Sequence, residues 1–348
     1  MNFTRLFAAS RRIVTAVGLA LLGVGGAAIP ASSQLLTGNI WAHDPSIIEH
    51  NGCYYAFSTG HPPVRDGTIT IRRSCSGLAG PWQEIGTVFD AQPAWIAAEI
   101  GTKPQHLWAP DITYHNGRYY LYYAGSTFGS NVSVIGLATN ATLDPDDPEY
   151  QWVDEGMVFR SQRSDNFNAI DPDVVWGEGE AWLVFGSYWD GIKMRRLDPA
   201  TGKLSGEETT LYSLASRGGG AIEAPSILYR GGYYYLFVSF DRCCAGRDST
   251  YNIRVGRAER ITGPYYDKDG RSMRLGGGTL LLGRGEVPRV DGGTNNVRGA
   301  GGQDVFFDPA DAKWKLVYHW YTNTGAHRMS VSDIEWTGDG WPVLGPMR

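Results

Sequence analysis

Ala221-Ile222-Glu223-Ala224-Pro225-Ser226-Ile227-Leu228-Tyr229 runs through Gly231-Gly232 into Tyr233-Tyr234-Tyr235-Leu236-Phe237. An acid close to a proline opens an apolar strand, a glycine turn follows, and an aromatic strand returns. The unit recurs. His43-Asp44-Pro45-Ser46-Ile47-Ile48 precedes Asn51-Gly52-Cys53-Tyr54-Tyr55-Ala56-Phe57, and Trp108-Ala109-Pro110-Asp111-Ile112-Thr113 precedes Asn116-Gly117-Arg118-Tyr119-Tyr120-Leu121-Tyr122-Tyr123. A third copy joins Ala169-Ile170-Asp171-Pro172-Asp173-Val174-Val175 to Gly179-Glu180-Ala181-Trp182-Leu183-Val184-Phe185, and a fifth joins Asp304-Val305-Phe306-Phe307-Asp308 to Trp314-Lys315-Leu316-Val317-Tyr318-His319. Glycine turns between alternating apolar strands are hairpin signals.

Each copy continues into further short strands such as 69–73, 132–138 and 252–257, and the period is roughly 50 to 80 residues. Five units of about four strands with almost no helical periodicity predict an all-β, five-bladed β-propeller. A β-sandwich followed by a second β domain is the competing architecture, but no linker or composition shift marks a boundary. In a propeller the first strand of every blade lines the central channel. Acids far apart in sequence then converge on one site, which is the reason to read Asp44, Asp171 and Glu223 together.

Composition agrees. The 348 residues include 12 Trp, 19 Tyr and 46 Gly with only 19% charged residues, a strand-and-turn balance whose exposed aromatic faces suit carbohydrate rings. Arg5, Arg11 and Arg12 precede an apolar run from Ile13 to about Val24 and then small residues. Residues 1–33 therefore read as a secretory signal peptide, exported by the general route or, given Ser10-Arg11-Arg12, by the twin-arginine route. The remaining 34–348 read as one catalytic domain. Loss of those three arginines takes the formal charge from −5 to −8, a poor match for nucleic acid. The glycine runs 218–220 and 276–278 lack the lysine and helix of a phosphate cradle.

Four cysteines fit an exported protein. Cys53 and Cys75 read as cross-strand neighbours placed to bridge or to stay apart, and the adjacent Cys243 and Cys244 as a vicinal bond or two small loop residues.

These strings, together with Phe167-Asn168-Ala169-Ile170-Asp171-Pro172, Phe185-Gly186-Ser187-Tyr188-Trp189-Asp190-Gly191 and Tyr318-His319-Trp320-Tyr321, resemble the arabinanases of glycoside hydrolase family 43, in the same order along the mature chain. The resemblance implies a five-bladed propeller that hydrolyses furanosidic bonds with inversion. Matched by position, Asp44 is the general base, Glu223 the general acid and Asp171 the carboxylate that tunes and orients the acid. An inverting pair stands roughly 6.5 to 9.5 Å apart to admit water. Trp108, Asn168, Ser187, Tyr188 and Trp189 are the expected substrate contacts, whereas Asp111 is read as structural or a distant contact and Asp173 as a turn acid.

The family often holds a calcium ion through a histidine and waters, for which His319 is the best match. Many relatives have Gly-Pro-Gly-His where this chain reads Gly299-Ala300-Gly301-Gly302-Gln303-Asp304, a departure that bears on any such ion. The expectation is a secreted, monomeric endo-1,5-α-L-arabinanase acting on arabinan and arabino-oligosaccharides. The rivals are an exo-acting arabinofuranosidase or β-xylosidase on the same scaffold, and a propeller that binds sugars without hydrolysing them.

Overall fold

The computed structural model describes residues 34–62 and 64–348; the segment read as an export signal lies outside the described residues. Five antiparallel sheets follow one another along the chain. Blade one comprises Ser46–His50, Cys53–Ser58, Thr70–Ser74 and Gln83–Thr87, and blade two Trp108–His115, Arg118–Gly125, Ser133–Asn140 and Val153–Ser161. Blade three comprises Asp173–Gly177, Glu180–Phe185, Ile192–Asp198 and Lys203–Leu204, with Tyr212–Ala215 also paired to its third strand. Blade four comprises Ile222–Arg230, Tyr233–Phe240, Asn252–Ala258 and Thr279–Leu282. In blade five the ribbon Gly285–Pro288 pairs with the long inner strand Thr294–Asp308, followed by Lys313–Tyr321, His327–Trp336 and Pro342–Met347. The predicted five-bladed propeller is the observed fold.

The repeated turns explain why the chain folds back at each copy. Asn51-Gly52, Asn116-Gly117, Glu178-Gly179 and Gly231-Gly232 all have φ between 49° and 87° at both central residues, the twist that a two-residue hairpin requires. Between blades, apolar side chains gather into five clusters, one per interface. Phe57, Ile71, Leu121 and Val134 fill blades one to two, for example, and Ile47, Ala56, Val317 and Val331 close blade five onto blade one. The fold therefore has five apolar cores around a polar axis. Cys53 and Cys75 form a disulfide between the second and third strands of blade one, and Cys243 and Cys244 are bonded to each other.

Around the axis the inner strands are edge strands, and their free N–H groups need partners. The residue two places beyond the acid-proline corner supplies them. Ser46 Oγ accepts the Ile112 N–H of blade two at 3.2 Å, Asp111 Oδ2 accepts Val174 N–H of blade three at 2.9 Å, and Asp173 Oδ2 accepts Ile227 N–H of blade four at 3.2 Å. Asp304 of blade five accepts from Ile47 of blade one and from Ser46 Oγ, the latter at 2.7 Å. Only blade four breaks the sequence, because Val305 N–H turns to its own neighbour Asp304 and Ser226 Oγ is buried without a partner. Asp173, expected as a turn acid, is instead a buried member of this clasp, and Asp111 is structural.

Asp111, Asp173 and Asp304 bring carboxylate oxygens within 4.8 Å of one another. Burial raises all three pKa values, Asp304 to about 6, and mutual repulsion adds to the rise at Asp111 and Asp173. An acid that holds its proton more tightly folded than unfolded costs stability as pH climbs from the ordinary carboxyl value to the raised one. Asp111→Asn keeps an acceptor for Val174 and removes one charge. Its melting temperature should exceed that of the parent protein by a few degrees at pH 8 and match it near pH 4, as thermal unfolding at the two pH values would show.

Candidate active site

At one end of the axis the five inner strands share a second peculiarity. Asp44, Ala109, Asp171, Ala224 and Gly302, one per blade, all adopt left-handed backbone, with φ of 48°, 41°, 54°, 50° and 53°. A non-glycine residue is seldom found there, and such conformations cluster where a site requires them. The corner bulges the strand end and turns its side chain to the axis. In blade five only glycine fits, since a Cβ on Gly302 would stand 2.1 Å from Asp44 Oδ1 and 2.7 Å from His319 Nδ1. Glycine at 302 thus leaves this space to His319, which enters from the neighbouring strand.

Asp44 is gripped from several sides. His43 Nδ1 lies 2.8 Å from Oδ2, Thr59 Oγ1 donates to the same oxygen at 2.7 Å, and His319 Nδ1 lies 3.3 Å from Oδ1. Burial alone would raise its pKa, but the two imidazoles overcome burial and hold the carboxyl well below its usual range. Asp44 is therefore a carboxylate. His43 is fixed in turn by Tyr321 Oη at 2.9 Å from Nε2 and by His319, stacked at 3.7 Å.

Glu223 is the opposite case. It is half-buried where blade four meets the blade-three loop, tied by the Ser187 bridge and by Tyr188 N–H to Ile222 carbonyl at 2.9 Å. Ser187 Oγ donates to Oε2 at 2.6 Å and Tyr251 Oη to Oε1 at 2.7 Å. Burial raises its pKa despite these two donors, and Asp44 adds to the rise. Asp171 accepts the Ala224 N–H at 3.1 Å, and burial together with the charge of Glu223 lifts it well above the usual carboxyl value. One ionised carboxylate and a proton-holding pair face one space, a division of acid and base between environments.

Above them lies a cleft of about 800 Å³ whose walls come from four blades. Trp108 and the exposed Phe128, with ring centroids 5.1 Å apart, form one side, and Tyr188 and Trp189 another. Asn168 lies in the wall, accepting from Ser133 Oγ at 2.6 Å, while Ser187, expected at sugar hydroxyls, is engaged with Glu223. The joined Cys243 and Cys244 complete the wall near His43. Sequence reading assigned no role to His43, Thr59, Phe128 or Tyr251. His43 alone carried a signal, its place immediately before Asp44.

His319 is fully buried, and burial lowers its pKa to about 4, so the imidazole is neutral. Its Nε2 has no hydrogen-bond partner. Asp44 N–H donates to Nδ1 at 3.2 Å and Asp44 Oδ1 stands 3.3 Å from the same nitrogen, so the two contacts call for opposite tautomers, and only the one with its proton on Nδ1 offers a lone pair at Nε2. Calcium prefers six to eight oxygens, and the group His43, Asp44 and His319 offers one carboxylate. These residues fit an ion held through one nitrogen and water, not an all-protein cage.

A carboxylate held ionised and a carboxyl of raised proton affinity at the floor of an aromatic cleft are the parts that a glycoside hydrolase site requires. The model of glycosyl hydrolases family 43 matches residues 37–342, and the chain belongs to that family. It is 42% identical over 317 residues to extracellular endo-alpha-(1->5)-L-arabinanase 1 of Bacillus subtilis, covering 90% of this chain and 88% of that one. It is also 38% identical to the extracellular exo-alpha-(1->5)-L-arabinofuranosidase ArbA of Cellvibrio japonicus, covering 87% and 86%. Among solved structures, the GH43 endo-arabinanase from Bacillus licheniformis superposes with a TM-score of 0.78 at 43% identity, covering 89% of this chain and 99% of that one.

With Asp44 in the role of base, its depressed pKa is expected to set the acid limb of the pH profile. Removing His43 takes away its largest source of anion stabilisation, so the carboxylate protonates at higher pH. The acid limb of kcat/KM in His43→Ala should move up by about one pH unit, checked by assays from pH 3 to 9.

Proposed function

We propose that this protein is an exported enzyme that cleaves internal α-1,5-L-arabinofuranosidic bonds of arabinan with inversion. The observation that carries the reading is the opposed proton affinity of Asp44 and Glu223 at the foot of one aromatic cleft. Asp44 takes a proton from water as the water oxygen attacks the anomeric carbon. Glu223 gives its proton to the glycosidic oxygen as the carbon–oxygen bond breaks, and the leaving chain departs as an alcohol. Asp171 accepts the Ala224 N–H and so fixes the backbone beside the acid, orienting it. Trp108, Tyr188 and Trp189 supply ring faces for arabinose units, and Asn168 a polar contact. A cleft walled by four blades suits a chain interior. Export agrees with relatives named extracellular, and no helix among the described residues is long and apolar enough to cross a membrane.

Calcium, where bound, would sit at His319 Nε2 with water completing its shell, and would place positive charge beside Asp44.

Debranched linear arabinan gives the first test. Mixed oligosaccharides at the earliest times are expected, and arabinose alone would mean exo action instead. Glu223→Gln should lower the rate by about 10²–10⁴-fold with the fold intact. For the ion, EDTA should lower the melting temperature and added calcium restore it, with neither effect in His319→Gln; a chelator without effect on the parent protein would remove the ion from the account.

A further inference from the structure

Glu223 faces a conflict between its hydrogen bonds and its work. Both of its oxygens accept from hydroxyls, an arrangement suited to a carboxylate, whereas an acid about to act carries a proton on one of them. One of the two hydroxyls has to turn round, and their surroundings decide which.

Tyr251 is 2% exposed and wedged in place. Its ring lies against Gly301 of blade five, where an added Cβ would come within 2.2 Å of Cδ1, and stacks on His319 at 5.9 Å between centroids. A phenolic hydrogen lies near the ring plane, so a fixed ring leaves it only two directions, and one of these is taken by Oε1 at 2.7 Å. Burial and the charge of Glu223 push the phenol well above its ordinary pKa, so it remains a donor. Ser187 has no such constraint. Its hydroxyl rotates about one single bond and accepts as readily as it donates.

We infer that Tyr251 is the positioning residue of the acid: its hydroxyl keeps Oε1 an acceptor throughout, so the transferable proton is carried on Oε2, beside Ser187, and leaves from there. This rests on the reading of Glu223 as the acid. Before reaction Oε2–H donates to Ser187 Oγ. As the glycosidic bond breaks the proton passes to the departing oxygen, and Ser187 O–H turns to donate to the new carboxylate.

The two hydroxyls then have different signatures. The Tyr251 bond is stronger to the carboxylate than to the carboxyl, so its loss raises the acid's affinity for the proton. The Ser187 bond persists in both states with its direction reversed, so its loss affects proton delivery more than proton affinity. The other groups facing the acid, Asp171, Asp44, His43, Tyr188, Tyr321 and His319, stay the same in both variants.

The test compares Tyr251→Phe, Ser187→Ala and Glu223→Gln on linear arabinan and on a nitrophenyl glycoside of a short α-1,5-arabino-oligosaccharide, whose leaving group departs without a proton. In Tyr251→Phe the alkaline limb of kcat/KM on arabinan should rise by about one pH unit, with kcat lowered on arabinan and nearly kept on the nitrophenyl substrate. Ser187→Ala should lower kcat on arabinan with the limb in place. An unmoved limb in Tyr251→Phe, or equal losses on both substrates, would overturn the role of Tyr251. A limb moved as far by Ser187→Ala would overturn the assignment of the proton to Oε2. Glu223→Gln hydrolysing arabinan at the parental rate would instead overturn the reading of the acid, independently of Tyr251.

Discussion

Where the inner strands run along the crowded axis they are edges, and an edge there leaves N–H groups with no strand beside them. Here the next blade's N–H is taken by a serine or aspartate side chain, from Ser46 to Ile112, Asp111 to Val174 and Asp173 to Ile227, with Asp304 returning to Ile47. Each lost bond would leave a buried donor at a cost of about 1–3 kcal/mol. The bonds run around the axis, so adjacent blades are held at a fixed offset along it. That offset brings the five left-handed corners to one level, and the two working carboxyls with them.

The same crowding separates the proton affinities. Burial acts alike on Asp44, Asp171 and Glu223, and only their partners differ. Two imidazoles beside Asp44 overcome burial, while Asp171 meets the charge of Glu223 and Glu223 that of Asp44. The chemistry follows from which blade faces which: blade five supplies His319 to blade one, and blade three supplies Asp171 and Ser187 to blade four.

The architecture was legible because its signals are local. Asn51-Gly52 and Asn116-Gly117 announce their hairpins, and five aromatic returns after five glycine turns count the blades. Asp44, Asp171 and Glu223 were legible through their shared place at strand openings. Tyr251 and Thr59 were not, since each acts on a residue of another strand, and nothing near either in sequence names its partner. Ser187 was found as a polar residue of the site, but its bond to Glu223 was not legible, because the bridge that sets it there joins blades three and four. Asp173 resembled a turn acid only because a proline precedes it; its burial depends on blade four, which begins some fifty residues later.

Of the five left-handed corners, two bear acids, blade five needs glycine for want of room, and Ala109 and Ala224 have only a methyl group. Those two alanines are held by backbone bonds, Ala109 N–H to Thr59 and Ala224 N–H to Asp171, and their side chains take no part in holding the blades together. The fold thus separates the positions that keep it closed from two corners whose methyl groups only line the small axial cavity. A lineage that exchanged either alanine for a larger residue would have to seat it in the small axial cavity that all five corners share, so these two methyl groups set how much space the axis keeps between the carboxyls.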